Sequence, residues 1–185
     1  MTNTPKNLQD ANELLTNDGF TVGSVWYHGT SSTLAESIKE QGLKRSGDKA
    51  IKQTAKKIMA TIGNSYKETI EPVFLTQSKE LAYYWATQKV KERAAHTGEE
   101  ETPMVFSVKL PKEINTKVKP DVGAASLLLV EGNNFLDYLA ELYLSHGFEK
   151  PMLDPLKSDR LDYLNKLGMA YIDSDINLEY LEVSS

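Results

Sequence analysis

Residues 26–32 read WYHGTSS, and this stretch decides how the rest of the chain is interpreted. Trp26 and Tyr27 predict the end of a β-strand, because aromatic residues are enriched in strands. Gly29 follows directly, and a glycine lets the backbone approach another group closely. A histidine that only fills a core does not need these surroundings. His28 is therefore predicted to lie where the backbone meets a ligand.

A helix is predicted immediately after this strand. Thr33 and Glu36 have the spacing of a capping box, in which two side chains bond the first backbone N–H groups of a helix. Leu34 and Ile38 share one helix face, and Gly42 is placed to end the helix. The histidine is thus expected at a strand end, just before a helix begins.

The remaining elements predict an α+β fold. Hydrophobic periodicity and turn residues indicate strands over 72–76, 104–111, 169–173 and 178–183, and helices over 51–62, 79–95, 135–144 and 159–167. These elements do not alternate regularly, which argues against a doubly wound parallel sheet. No G-x-G-x-x-G follows a strand, so a Rossmann site has no support. One domain over 1–185 is expected, with 1–20 as a helical N-terminal extension.

Composition excludes several classes of protein. The chain has 185 residues, a net charge of −5 and no cysteine, which removes disulfides, thiolate nucleophiles and zinc–thiolate sites. No apolar run approaches the roughly 20 residues of a membrane span, so a cytoplasmic protein without membrane contact is expected. The three histidines lack metal-ligand spacing, and His96 and His146 suit surface or capping roles, so no metal is expected. A cluster of lysines and arginines over 44–57 is the one locally basic segment.

Three short motifs follow one another along the chain. YHGT lies at 27–30, the strand VFL at 73–75 leads into a helix carrying AYY at 82–84, and EYL lies at 179–181. None is specific alone. Together, in this order and on these elements, they resemble the ADP-ribosyltransferase superfamily, in its His-Tyr-Glu branch with the diphtheria-like toxins and the poly(ADP-ribose) polymerases. The resemblance covers residues 24 to 183, nearly the whole chain.

The resemblance implies a fold of split, mixed or antiparallel sheets with flanking helices around a cleft for NAD, the co-substrate. It implies that His28 hydrogen-bonds ribose hydroxyls, which suits a ring with one donor and one acceptor nitrogen. The backbone of Gly29 would bind the nicotinamide amide, and Thr30 would add a hydroxyl contact. Phe74 joins this NAD-binding set, and Tyr84 would stack on the nicotinamide ring.

The resemblance also implies a catalytic carboxylate, because breaking the bond between nicotinamide and ribose leaves a cationic sugar. A carboxylate about 4 Å away at an effective dielectric near 20 contributes about 4 kcal/mol, or about a thousandfold in rate. Glu179 is the candidate and Glu182 the alternative; three apart on a strand, they would face opposite ways. Tyr83 is the alternative to Tyr84 as the residue that stacks on the nicotinamide ring, if the helix presents a different face to the ligand. Asn177 lies on the acceptor side, where arginine modifiers usually carry an acid.

The expected function is that of an NAD-dependent mono-ADP-ribosyltransferase of the toxin, toxin–antitoxin or phage-effector type. It would transfer ADP-ribose to a protein or nucleic acid and release nicotinamide, with an antitoxin or inhibitor as a further possible partner. The alternatives are an NAD hydrolase and a non-catalytic relative that binds a nucleotide or a partner. A tRNA 2′-phosphotransferase is less favoured, because Arg45, Arg93 and Arg160 are scattered rather than grouped around the histidine.

Overall fold

The computed structural model describes residues 4–45, 52–53, 56–57, 60–61, 70–129, 134–154 and 156–184. The chain is α+β, with antiparallel sheets and flanking helices. The helices are α1 (Ala11–Leu14), α2 (Ser32–Gln41), α3 (Lys79–Thr97), α4 (Lys112–Asn115), α5 (Asn134–Ser145) and α6 (Arg160–Leu167). The strands are β1 (Leu15–Thr16), β2 (Gly19–Phe20), β3 (Val25–Ser31), β4 (Val73–Thr76), β5 (Pro103–Lys109), β6 (Lys119–Pro120), β7 (Met169–Ile172) and β8 (Leu181–Val183). Short 3-10 helices, η1, η2 and η3, span Lys6–Leu8, Val122–Leu129 and Leu178–Tyr180.

The main sheet opens beside its central strand. Six strands lie in the order β6-β7-β4-β3-β5-β8, and every neighbouring pair is antiparallel. Strand β3 pairs with β5 along its whole length. Between β3 and β4, however, the ladder contains one pair, Tyr27 with Thr76. Beyond that pair the two strands part, which leaves one edge of β3 open.

Helices cover the two faces of β3. On one face, Ala35 and Ile38 of α2 belong to the same buried cluster as Trp26. On the other face α3 lies directly against Gly29: a Cβ there would overlap the carbonyl oxygen of Ala82. This packing, rather than a ligand, explains why residue 29 has no side chain.

The N-terminal segment is part of the fold rather than an appended helix. The segment forms η1, α1 and a β1–β2 hairpin, and the side chain of Asp10 hydrogen-bonds the start of α3. The Asp10 carboxylate accepts hydrogen bonds from Ser78 Oγ at 2.6 Å and from the backbone N–H of Lys79 at 2.8 Å. In return the Ala11 N–H donates to Glu80 Oε2 at 2.9 Å. Burial raises the pKa of Asp10.

Several predicted element ends need correction. Strand β3 continues through the glycine to Ser31, so α2 begins at Ser32 with no side-chain cap, and the predicted capping box at Thr33 is wrong. The prediction of Gly42 as the helix stop is confirmed, with φ 75°. Of the predicted helix over 51–62, residues 52–53, 56–57 and 60–61 are helical, and the others lie outside the described residues. Among the described helices, none combines the length and apolar character needed to cross a bilayer.

The predicted last strand is interrupted by a turn. Residues 178–180 form η3, closed by a hydrogen bond from the Tyr180 N–H to the Asn177 carbonyl at 3.1 Å. Strand β8 begins only at Leu181 and pairs with β5. Glu179 therefore precedes the strand instead of opening it, and the prediction of a continuous strand is wrong.

Candidate functional site

A cavity of about 980 Å³ lies where β3 and β4 part. Its size is at the upper end of the range for small-molecule and cofactor sites. The lining includes Thr33, Ser37 and Gln41 of α2, and also Trp85, Gln88 and Lys89 of α3. Because α2 and α3 cover opposite faces of β3, the cavity passes through the opening from one face of the sheet to the other. His28, Gly29 and Thr30 line it at the opening.

His28 spans the opening. Its Nδ1 lies 2.9 Å from the carbonyl oxygen of Phe74 on the opposite strand. A carbonyl only accepts, so Nδ1 carries the hydrogen and Nε2 is the acceptor when the ring is neutral. Burial lowers the pKa of His28 and the positive charge of Lys89 lowers it further, while the bond to Phe74 acts in the opposite direction. The ring is therefore neutral at pH 7.

The backbone of Gly29 directs its hydrogen-bonding groups into the same opening. In an antiparallel ladder each residue points its N–H and C=O to one side, and successive residues alternate. The Ser32 N–H donates to the Thr102 carbonyl on the β5 side at 2.8 Å. The backbone N–H and C=O groups of the even-numbered residues of β3 therefore point toward β5, and those of the odd-numbered residues point away from it. The carbonyl of Val105, which lies opposite Gly29, accepts instead from the N–H of Ser184, the residue after β8. The N–H and C=O of Gly29 thus point toward β4, where pairing has already ended.

The aromatic side chain of α3 that lines the cavity is Trp85, not Tyr84. The Tyr84 ring is 5% exposed and stacks on Tyr138, with centroids 4.6 Å apart, in a core cluster that includes Phe135. One residue of α-helix turns a side chain by about 100°, and this step brings Trp85 to the cavity side. The indole N–H of Trp85 is buried and has no hydrogen-bond partner among the described residues. Phe74, which is 46% exposed, and Tyr27 are the other phenyl-type rings in the described lining.

The described lining does not include Glu179 or Asn177. Both are exposed and lie at or beside η3. Strand β8, which follows, is separated from β3 by β5. The chain at the start of η3 nevertheless lies against the cavity wall, because a Cβ on the lining residue Gly42 would overlap the Ile176 carbonyl oxygen and lie 3.0 Å from the Leu178 nitrogen. The alternative acid, Glu182, is bonded to Lys109 at 2.6 Å. The alternative aromatic, Tyr83, packs in a small cluster with Ala82 and is not in the lining either.

Three carboxylates are found among the described lining residues: Glu71, Glu92 and Asp121. Glu92 is bonded to Lys89 at 3.1 Å, and Glu71 is exposed. Asp121 is buried, its backbone N–H donates to the Met169 carbonyl at 3.0 Å, and burial raises its pKa. The sequence PDVG at 120–123 indicates a turn, and no sequence signal identified Asp121 as part of a site.

A buried ion pair lies in the C-terminal part of α3, where this helix borders the cavity. Arg93, which lines the cavity, donates from Nε to both carboxylate oxygens of Glu101, at 2.8 and 2.7 Å. These bonds lower the pKa of Glu101. Removing one partner of a buried pair leaves an uncompensated charge, so this contact is structural. Among the described residues, no group of three or more acidic or histidine side chains is arranged to hold a metal ion.

No protein-family model matches the sequence, and no curated protein sequence matches it.

Proposed function

We propose that the protein binds NAD in this cavity and transfers the ADP-ribose moiety to a macromolecular acceptor, with release of nicotinamide. The observation that supports this most is the meeting of His28 and the open Gly29 edge inside a cavity that crosses the sheet. A ligand made of two linked nucleotides fits such a passage, with one half on the α2 side and the other on the α3 side.

The opening offers groups that match the nicotinamide half of NAD. A carboxamide has an NH2 donor and a C=O acceptor, which pair with the C=O and N–H of Gly29. The acceptor Nε2 of neutral His28 takes a hydrogen from a ribose hydroxyl. Trp85 supplies a ring on the α3 side, where stacking on an aromatic ligand adds about 0.5–1.5 kcal/mol beyond area burial. Trp85 thus takes the place that the sequence assigned to Tyr84.

The reaction breaks the bond between the ribose carbon and the nicotinamide nitrogen, whose electron pair leaves with neutral nicotinamide. The ribose carbon becomes cationic, and a lone pair of the acceptor forms the new bond while the acceptor loses its proton to solvent. A carboxylate facing the cavity stabilises that cation. Asp121 is the buried one of the three in the lining, and a buried carboxylate acts at a lower dielectric. We assign it this role in place of Glu179.

A second candidate function is NAD binding without turnover. The placement of Tyr84 and Glu179 outside the described lining favours it, because two of the three residues expected to act on NAD do not reach the cavity. Hydrolysis of NAD, with water as the acceptor, would use the same residues as transfer.

Purified protein incubated with cell extract and NAD labelled in its adenylate half separates these functions, when combined with calorimetric NAD titration. Label on protein or nucleic acid supports transfer, and free labelled ADP-ribose alone identifies a hydrolase. Calorimetric binding with no loss of NAD identifies the binding-only function. Absence of binding at millimolar NAD contradicts every form of the proposal.

NAD affinity is expected to fall on acidification, but only at a pH below the ordinary pKa of histidine. The lowered pKa of His28 keeps the ring neutral down to a pH below its ordinary value of about 6.5. Once protonated, Nε2 is a donor and no longer accepts from a ribose hydroxyl. Calorimetric titration from pH 5 to 8 should show constant affinity down to the ordinary pKa of histidine and weakening only below it. The His28→Gln variant should bind NAD weakly, and its affinity should not fall further at low pH. A wild-type affinity that rises on acidification would contradict the assigned tautomer.

A further inference from the structure

Three exposed or half-exposed side chains form a row across the sheet, leading away from the cavity. Phe74 of β4 is paired in register with Tyr171 of β7, which is paired in turn with Lys119 of β6. Directly paired residues project from the same face, so the three side chains are neighbours about 5 Å apart. Lys119 Nζ lies 5.7 Å from the centroid of the Tyr171 ring. We call Phe74, Tyr171 and Lys119 the aromatic row.

Two ion pairs involve the loop that follows β7, and one of their cations, Lys44, also lines the cavity. Lys119 is bonded to Asp173 at 2.8 Å, and Lys44 to Asp175 at 3.3 Å. The bond from Lys119 lowers the pKa of Asp173. Arg45 stands beside Asp175, whose Oδ1 accepts from the Arg45 backbone N–H at 2.9 Å. Three cations thus face two carboxylates, in a chain whose net charge is −5.

A fourth cation lies at the start of α6. Helix α6, which begins with Arg160, contacts strand β6, which carries Lys119. Arg160 also stands beside Asp159 and Asp162. Those carboxylates accept backbone N–H bonds in the capping box of the helix.

Stacking rings beside cations are the features with which proteins bind single-stranded nucleic acid. Bases stack on the rings whatever their identity, and the phosphates are neutralised by lysine and arginine. Double-stranded nucleic acid keeps its bases stacked on one another and cannot use such rings. One end of the row also reaches the cavity, because Phe74 is a lining residue. A base stacked on Phe74 lies at the cavity mouth.

We propose that the aromatic row binds single-stranded nucleic acid and presents it to the cavity as the acceptor. The role of the nucleic acid as acceptor rests on the proposed function, whereas the binding surface does not depend on that function. The acidic net charge predicts modest affinity with a clear salt dependence, because only three or four phosphates are neutralised. At about 0.7 per phosphate contact, the slope of log affinity against log salt should be about −2 to −3.

Fluorescence anisotropy with labelled 12-nucleotide RNA and DNA tests the proposal. The Tyr171→Thr variant removes the ring but introduces a β-branched residue that strands favour, and it should weaken binding roughly tenfold, as expected for one lost stacking contact. Lys119→Gln should reduce the salt slope by about 0.7. Lys109→Gln is the matched control, since Lys109 is also exposed and bonded to one carboxylate, Glu182 at 2.6 Å. This control should change neither quantity.

Three results would overturn the proposal: no oligonucleotide binding at 50 mM salt, an equal effect of Lys109→Gln, or labelled ADP-ribose found only on protein. NAD titration of the same preparations keeps the two proposals apart. Oligonucleotide binding by a protein that does not bind NAD refutes the proposed function and leaves the binding surface standing. Unchanged NAD affinity in Tyr171→Thr, with weaker oligonucleotide binding, supports a surface separate from the NAD site.

Discussion

Replacing Gly29 with alanine is expected to lower the free energy of unfolding by about 3 kcal/mol or more, because the new Cβ meets helix backbone rather than a flexible side chain. It would overlap the Ala82 carbonyl oxygen and lie 2.8 Å from the Ala86 nitrogen. Helix α3 would have to move off β3, and the cavity wall formed by Trp85 would move with it. In a domain of this size the midpoint of thermal unfolding should fall by about 6–12 °C.

Gly98→Ala is the matched control for this prediction. Gly98 ends the same helix with φ 70°, and a Cβ there would meet no atom within 4 Å. Its expected cost is therefore only that of a left-handed backbone, about 1 kcal/mol. Urea unfolding of the two variants gives the comparison. Equal losses of stability would mean that α3 does not lie directly against β3.

Replacing Asp121 with asparagine is expected to lower NAD turnover by about a hundred- to a thousandfold while NAD affinity changes little. The substitution removes a negative charge from the cavity, and that charge is needed mainly when the ribose becomes cationic. Asparagine keeps an oxygen that can accept backbone N–H bonds at the start of η2, so the local fold should survive. Turnover is measured as nicotinamide release and affinity by calorimetry.

Glu179→Gln is the counterpart of this variant. Glu179 is exposed in η3 and lies outside the described lining, so unchanged turnover and unchanged NAD affinity are expected. Loss of turnover in Glu179→Gln with normal activity in Asp121→Asn would return the catalytic role to the residue chosen from the sequence. Wild-type binding without nicotinamide release would instead identify the binding-only function.

Local patterns predicted the elements well, because each depends on a few neighbouring residues. The strand over 73–76 and the helices over 79–97, 134–145 and 160–167 follow from periodicity and capping residues. Ser78 is such a cap: its side chain accepts from the backbone N–H groups of Glu80 and Leu81. His28, Gly29, Thr30 and Phe74 are brought to one cavity, as expected from the first two motifs.

The aromatic residue of α3 could not be chosen from the sequence. Tyr83, Tyr84 and Trp85 are consecutive, and each turns about 100° from the one before it. Which of them faces the cavity depends on where α5 packs, since its rings enclose Tyr84. That contact joins residues more than 50 positions apart, and no pattern within α3 encodes it.

The carboxylate and the opening in the sheet depend on distant pairing as well. EYL at 179–181 resembles a strand start, yet the chain turns before the strand begins. Asp121 enters the cavity because the short strand β6 pairs with β7, which the sequence did not predict. The size of the cavity depends on β3 and β4 sharing one pair instead of several.

The structure of the protein in complex with a non-cleavable NAD analogue tests the central claim most directly. We predict a nicotinamide carboxamide hydrogen-bonded to the backbone N–H and C=O of Gly29, a ribose hydroxyl donating to His28 Nε2, and the ring beside Trp85. An analogue bound elsewhere, or a Gly29 edge that stays closed to the ligand at saturating concentration, would contradict it.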